Sequence, residues 1–125
     1  MKIAVIGSRD FKYIEEARNI IFECFSPLER AIHADLVSGG ARGIDSLAEE
    51  VIDGLNKEYD TNIKKIIFKP DWNKYGKRAG FLRNKLIINE ADCVLALWDG
   101  KSKGTKHSID LAIEKGIPID IYIRN

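Results

Sequence analysis

Leu36-Val37-Ser38-Gly39-Gly40-Ala41-Arg42-Gly43-Ile44-Asp45 is the stretch on which the fold turns. Leu36 and Val37 close a short apolar run of the kind that forms a buried strand. Three glycines follow within five positions. From Ile44 onward, Leu47, Ala48, Val51, Ile52 and Leu55 recur at helical spacing. Strand, glycine loop and helix start form the geometry that turns backbone N–H groups toward an anion. Glycine also lets a ligand approach the backbone closely, and Arg42 supplies a planar guanidinium suited to phosphate. The alternative is an ordinary strand-to-helix turn, with Arg42 solvated and Asp45 merely complementing the helix dipole. The flanks, together with the glycines, favour a phosphate-binding loop.

The same grammar repeats on either side. Lys2 to Ile6 is a β-branched run, followed by Gly7-Ser8-Arg9-Asp10 and a helical pattern through Tyr13, Ile14, Ala17, Ile20, Ile21 and Cys24. Pro27 ends that helix and can open a short second one. After the strand Asp35–Ser38 and the helix from Ile44 to Glu58, a third strand is expected at Ile63 to Phe68. Asp71 to Lys77 has no clear period and reads as an ordered loop. Ala79 to Glu90 is a helix with Leu82, Leu86 and Ile87 inward, and Asp92 to Trp98 is a fourth strand. Thr105 is placed to cap the next helix, which stops at Gly116 and Pro118, and Ile119 to Ile123 is the last strand. Alternating strands and helices predict an α/β fold: a three-layer, Rossmann-like, doubly wound sheet of about five parallel strands in the order 3-2-1-4-5.

Ligands of such sheets bind beyond the carboxyl ends of the strands, where all the chemically unusual loops fall. Gly7, Ser8 and Arg9 supply a glycine, a hydroxyl and a guanidinium. Ser38, Gly39, Gly40, Ala41, Arg42, Gly43 and Asp45 supply the glycine cradle. Asp99, Gly100, Ser102, Gly104 and Thr105 supply two glycines and two hydroxyls at a helix start. Asp10 is suited equally to capping the first helix and to meeting a ribose hydroxyl. Trp98 reads as core, and Trp72 and Tyr75 as either a lid or a plug at the core rim. His107 is expected on the solvated helix surface.

At 125 residues the chain suits one domain, and a net charge of +1 argues against bulk electrostatic capture of nucleic acid. No apolar run is long enough to span a bilayer, and the N-terminus lacks the pattern of a signal peptide. A cytoplasmic protein without a membrane partner is expected. Cys24 and Cys93 lie in apolar segments without a CxxC pair, so buried thiols are expected rather than a disulfide. His33 and His107 offer no metal-ligand spacing, and neither a metal nor a cofactor is expected.

Four motifs in order, GSRDF from Gly7, SGGARGID from Ser38, DWNKYGKRAGFLRN from Asp71 and ALWDGKSKGT from Ala96, make the chain similar to the YspA-like branch of the SLOG superfamily. That superfamily holds nucleotide-binding sensors, the Lonely Guy phosphoribohydrolases and DNA-processing protein A. The resemblance implies a single SLOG-like nucleotide-binding domain over residues 1–125 and a homo-oligomer. It adds Arg83 and Asn84 to the ligand-facing residues, because Arg83 falls where the Lonely Guy enzymes carry a catalytic arginine. Gly104-Thr105 matches the end of their PGGxGTxxE signature, but the catalytic glutamate falls at Ser108. A hydroxyl cannot take over a carboxylate's role at an oxocarbenium-like centre, so catalysis stays open with Arg83 as the candidate. DNA-processing protein A shares the SGGARGID-like turn and continues into an alanine-histidine pair where this chain has Ala48-Glu49. The expected function is binding of a nucleotide or nucleotide derivative such as an ADP-ribose-like ligand. The alternatives are nucleotide N-glycosidic hydrolysis and single-stranded DNA binding, the latter resting on Lys74, Lys77, Arg78, Arg83 and Lys85.

Overall fold

The computed structural model describes residues 1–27 and 33–125. Five strands, β1 (Lys2–Gly7), β2 (Asp35–Ser38), β3 (Lys65–Ile67), β4 (Cys93–Trp98) and β5 (Ile119–Ile123), form one parallel sheet in the order β3-β2-β1-β4-β5. The helices are α1 (Ile14–Phe25), α2 (Ile44–Tyr59), a single turn α3 (Trp72–Tyr75), α4 (Ala79–Glu90) and α5 (Lys103–Lys115). The doubly wound architecture and strand order expected from the alternation are both observed. The short helix expected after Pro27 lies outside the described residues.

Alternation of side chains divides each continuous apolar strand between two layers. Ile3, Val5, Leu36, Leu95 and Leu97 pack with Ala17, Ile21 and Phe25 of α1 and with the apolar stripe of α2. Their neighbours Ala4, Ile6, Val37, Val94 and Ala96 pack with Ile87 and Ile88 of α4 and Ile109 and Ala112 of α5. No helix among the described residues is long and apolar enough to cross a membrane.

Several local expectations are corrected. β3 starts at Lys65 and not Ile63, because Asn56 takes both backbone groups of Ile63: Nδ2 donates to its carbonyl at 3.0 Å and Oδ1 accepts its N–H at 2.9 Å. Asp71–Lys77, expected as an ordered loop, is largely helical. Asp71 accepts the Lys74 N–H at 3.1 Å and starts α3, and a 3-10 turn over Gly76–Arg78 leads into α4. The inward stripe of α4 is Asn84, Ile87 and Ile88, while Leu82 is half-buried and Leu86 exposed. Ser102, not Thr105, is the N-cap of α5, its Oγ accepting the Thr105 N–H at 3.4 Å. Gly116 ends α5 in the left-handed conformation, as expected. Cys24 and Cys93 are half-buried, not buried.

Candidate functional site

The loops after β1, β2 and β4 meet at the carboxyl edge of the sheet, as the doubly wound topology requires. They surround a cleft of about 630 Å³, whose far wall is the start of α4. Gly7 makes the junction possible. A Cβ there would stand 2.6 Å from both the Ile44 side chain and the Leu97 carbonyl oxygen, so β1 can end against α2 and β4 only without one. Ser8, fully buried, joins two of the loops: its N–H donates to the Leu97 carbonyl at 3.1 Å and its Oγ accepts the Asp99 N–H at 3.1 Å. Asp99 in turn accepts the Lys101 and Ser102 N–H groups, each at 2.8 Å, which shapes the turn into α5. Burial pushes the Asp99 carboxyl up, but the hydrogen bonds from Ser102, Lys101 and Ser8 outweigh it and leave the group below its ordinary range.

Arg83 is the second tie. From α4 its Nη1 donates to the Gly39 carbonyl at 2.7 Å, and its Nε donates to Asn84 Oδ1 at 3.1 Å. Burial lowers its pKa, Asp45 opposes that and Arg9 adds to it; the guanidinium stays charged. Asn84 is buried and spans to α5, its Nδ2 donating to the Gly104 carbonyl at 3.3 Å and meeting His107 Nδ1 at 3.3 Å. His107 is therefore half-buried, not solvated, and packs edge-on against Phe81 with ring centroids 4.7 Å apart.

Asp45, at the start of α2, lies 9% exposed against the cleft. Burial pushes its carboxyl up to about 6; the hydrogen bond from the Ala41 N–H and the charges of Arg83 and Arg9 pull the other way, and Glu49 adds to the rise. That hydrogen bond, 3.2 Å from Ala41 N to Oδ2, puts the protein's own carboxylate on the glycine loop's N–H.

Of the residues singled out in the sequence, Gly7, Ser8, Arg9, Asp10, Ala41, Asp45, Arg83, Asn84, Asp99, Ser102, Gly104 and Thr105 line the cleft. Ser38, Gly39, Gly40, Arg42, Gly43 and Gly100 do not. Ser38 is fully buried behind the loop, Arg42 is exposed, and Gly39 lies beneath the Arg83 guanidinium. Gly43 sits against the backbone of Arg9. Asp10 does not cap α1, whose first turn follows Tyr13 without a side-chain cap. Trp98 is half-buried, its Nε1 donating to the Ser102 carbonyl at 3.0 Å.

The chain is 39% identical over 85 residues to Gene 61 protein of Mycobacterium phage D29, a match that covers 67% of each protein. The chain belongs to the family of that phage protein. No protein-family model matches it. In fold, the chain is similar to DNA processing protein A from Helicobacter pylori, a structure described for its single-stranded DNA binding mode, with a TM-score of 0.70 and 24% identity. It is also similar to DNA processing protein A from Streptococcus pneumoniae, with a TM-score of 0.72 and 19% identity. The matches cover 97% and 98% of this chain but 64% and 49% of those longer chains, and at such identities the likeness is one of fold. The Rossmann-like sheet expected from the alternation of strands and helices is thus shared with DNA processing protein A.

Gly80 and Phe81, which complete the wall, were not among the expected site residues, and Ser108 entered only as the position of an absent glutamate; Trp72, read as lid or plug, lines the cleft. Ser108 was findable, since it follows Thr105 by three positions on one helix face. Phe81 carried a weaker signal, a large apolar residue in the first turn of α4 at i−3 of Asn84 and i−7 of Ile88. Trp72 is half-exposed, its ring lying over Gly80, where a Cβ would be 3.5 Å from Cη2. Tyr75 and Phe81 are exposed, and Lys74 Nζ lies 5.2 Å from the Tyr75 ring centroid.

Proposed function

We propose that the cleft and its rim bind single-stranded DNA, phosphate lying between Arg9 and Arg83 and bases stacking on the exposed rings of Trp72, Tyr75 and Phe81. The observation that carries this reading is the rim. Trp72 and Phe81, both exposed, line the cleft with Lys77, Arg9 and Arg83, and Lys74, Tyr75 and Arg78 are exposed in the same stretch of chain. Aromatic platforms beside cations hold unpaired bases without regard to sequence. The fold likeness to DNA processing protein A points the same way. In this reading residues 1–125 act as one SLOG-like domain of the YspA-like branch, in the cytoplasm. Binding without bond breaking is proposed, since Ser108 brings a hydroxyl to the cleft wall where a glycosidase needs a carboxylate.

A second reading, a free nucleotide or a derivative such as an ADP-ribose-like molecule, is favoured by the cleft's size: about 630 Å³ suits one small ligand. Fluorescence anisotropy with a labelled oligothymidylate, beside calorimetry with ADP-ribose and mononucleotides, separates the two. The oligonucleotide should bind at low salt, and Trp72→Ala should weaken it about tenfold, the order expected for one lost stacking contact. Indifference to the oligonucleotide at low salt, with a mononucleotide bound, transfers the site to the second reading; no binding of either removes both.

A further inference from the structure

The two edges of the sheet are built differently. β3 has three residues and is flanked by exposed Lys64 and Lys69 and by Pro70, the devices that keep a strand edge from pairing. β5 is longer, five residues between Pro118 and Arg124 with one charge, Asp120, inside it, and Ile121, Tyr122 and Ile123 are 41%, 43% and 48% exposed. Its inner side is fixed by two hydrogen bonds at 3.0 Å: Val94 N–H donates to the Pro118 carbonyl, and Arg124 N–H donates to the Trp98 carbonyl. Backbone groups alternate sides along a strand, so Asp120 and Tyr122 also face β4. The N–H and C=O groups of Ile119, Ile121 and Ile123 therefore point outward, and the Ile123 carbonyl, which accepts Arg124 Nη1 at 3.3 Å, keeps a second lone pair for a partner strand.

From this we infer that β5 pairs antiparallel with β5 of a second copy of this chain, about a two-fold axis at Tyr122, to give one ten-stranded sheet. Chain complementarity selects the occupant and the register. Centring on Tyr122 sets Ile121 opposite Ile123 of the partner, and each such pair exchanges two N–H···O bonds, as outward-facing residues must. The same register sets Asp120 opposite Arg124 in non-hydrogen-bonded pairs, where side chains approach most closely. Two-fold symmetry makes both contacts twice, and the patch is its own complement. The isoleucines gather on the α4–α5 side, and the tyrosines and charges on the α1 side. Arg124 already holds Glu16 of α1, with Nη2 at 2.5 Å and Nε at 3.2 Å, so its guanidinium stands on the face where Asp120 of the partner arrives. Antiparallel pairing points the two clefts to opposite rims and leaves both open.

Sedimentation equilibrium on the full chain tests this. The native protein should sediment as a dimer. Ile121→Pro removes an outward N–H and no bond to β4, so it should give a monomer with the native circular dichroism. Asp120→Arg and Arg124→Asp each set like charges opposite one another at two sites and should weaken the dimer about tenfold. The double variant D120R/R124D, with the pair exchanged, should recover it. A native protein that is monomeric up to its solubility limit overturns the inference. So does a dimer indifferent to Ile121→Pro, or a double variant no tighter than the single ones. If Ile121→Pro does not fold, the charge-exchange series decides alone. The proline variant should retain cleft binding, so the outcome at β5 and that at the cleft are read separately.

Discussion

Replacing Asp45 by asparagine should make this protein more stable at neutral pH, although it removes a carboxylate whose charge favours the half-buried Arg83 guanidinium. The carboxyl titrates at about 6 in the folded chain and at 3.8 without the fold's influence. That gap of roughly two pH units corresponds to about 3 kcal/mol favouring the neutral form in the folded state. Asp45 is 9% exposed, so solvent screens little of it. Asparagine keeps an acceptor for the Ala41 N–H, now 3.2 Å from Oδ2, and carries no charge to desolvate. Between pH 3.8 and about 6 the unfolded chain has released the Asp45 proton and the folded chain has not. The folded state then binds more protons, so native stability falls as pH rises through that window and levels off above it. The variant lacks this contribution. Urea unfolding followed by tryptophan fluorescence should find the two proteins close at about pH 3.5. The variant should lead by up to about 3 kcal/mol near pH 7. A difference that does not change with pH, or a native protein more stable than the variant at neutral pH, refutes the reasoning.

Three further outcomes follow from the same contacts. Arg83→Ala leaves the Gly39 carbonyl without its donor and Asp45 with the charge of Arg9 but not of Arg83; urea unfolding should show a loss of about 1–3 kcal/mol, and the Asp45 titration measured by NMR should move further up. Gly7→Ala should lower stability by about 3 kcal/mol or more, because the new Cβ meets the Leu97 carbonyl, whereas Gly54→Ala, in α2 with nothing within 4 Å, should raise it by about 1 kcal/mol; thermal melts decide both signs. A phosphate bound beside Asp45 raises the carboxyl's pKa further, so the complex takes up a proton; oligonucleotide affinity should rise as pH falls from about 7.5 to about 6, and this slope should vanish in Asp45→Asn.

Strand–helix alternation, the strand order and the edge on which the loops meet were all legible, because they follow from short-range patterning and the handedness of crossovers. Details set by one distant side chain were not. Nothing local in Ile63 says that Asn56 occupies its backbone groups. The face α4 buries was ambiguous, since Phe81, Leu82, Leu86, Ile87 and Ile88 offer more than one apolar stripe, and the stripe used includes a polar residue, Asn84, that α5 satisfies. His107 read as a surface residue because its partners, Asn84 and Phe81, lie more than 20 positions away. Ser102 and Thr105 both suit a helix start, and the two hydroxyls lie 3.2 Å apart; which one caps depends on how Asp99 shapes the turn.

The glycine loop shows most clearly how a pattern and its use can part. Ser38 to Gly43 has the composition of an anion cradle, and an anion does sit on it: the carboxylate of Asp45 on the Ala41 N–H. The room that Gly39 leaves is taken by the guanidinium of Arg83, and the room that Gly43 leaves by the backbone of Arg9. Close approach is what glycine permits, and here the approaching groups belong to the protein. The effect is to bring Arg9, Arg83 and one reluctant carboxylate to the same cleft, where their charges act on one another. A ligand phosphate arriving there gains two cations but must face Asp45, whose charge is already costly. Protonating that carboxyl relieves both costs at once, so proton uptake and anion binding at this cleft should be one coupled event.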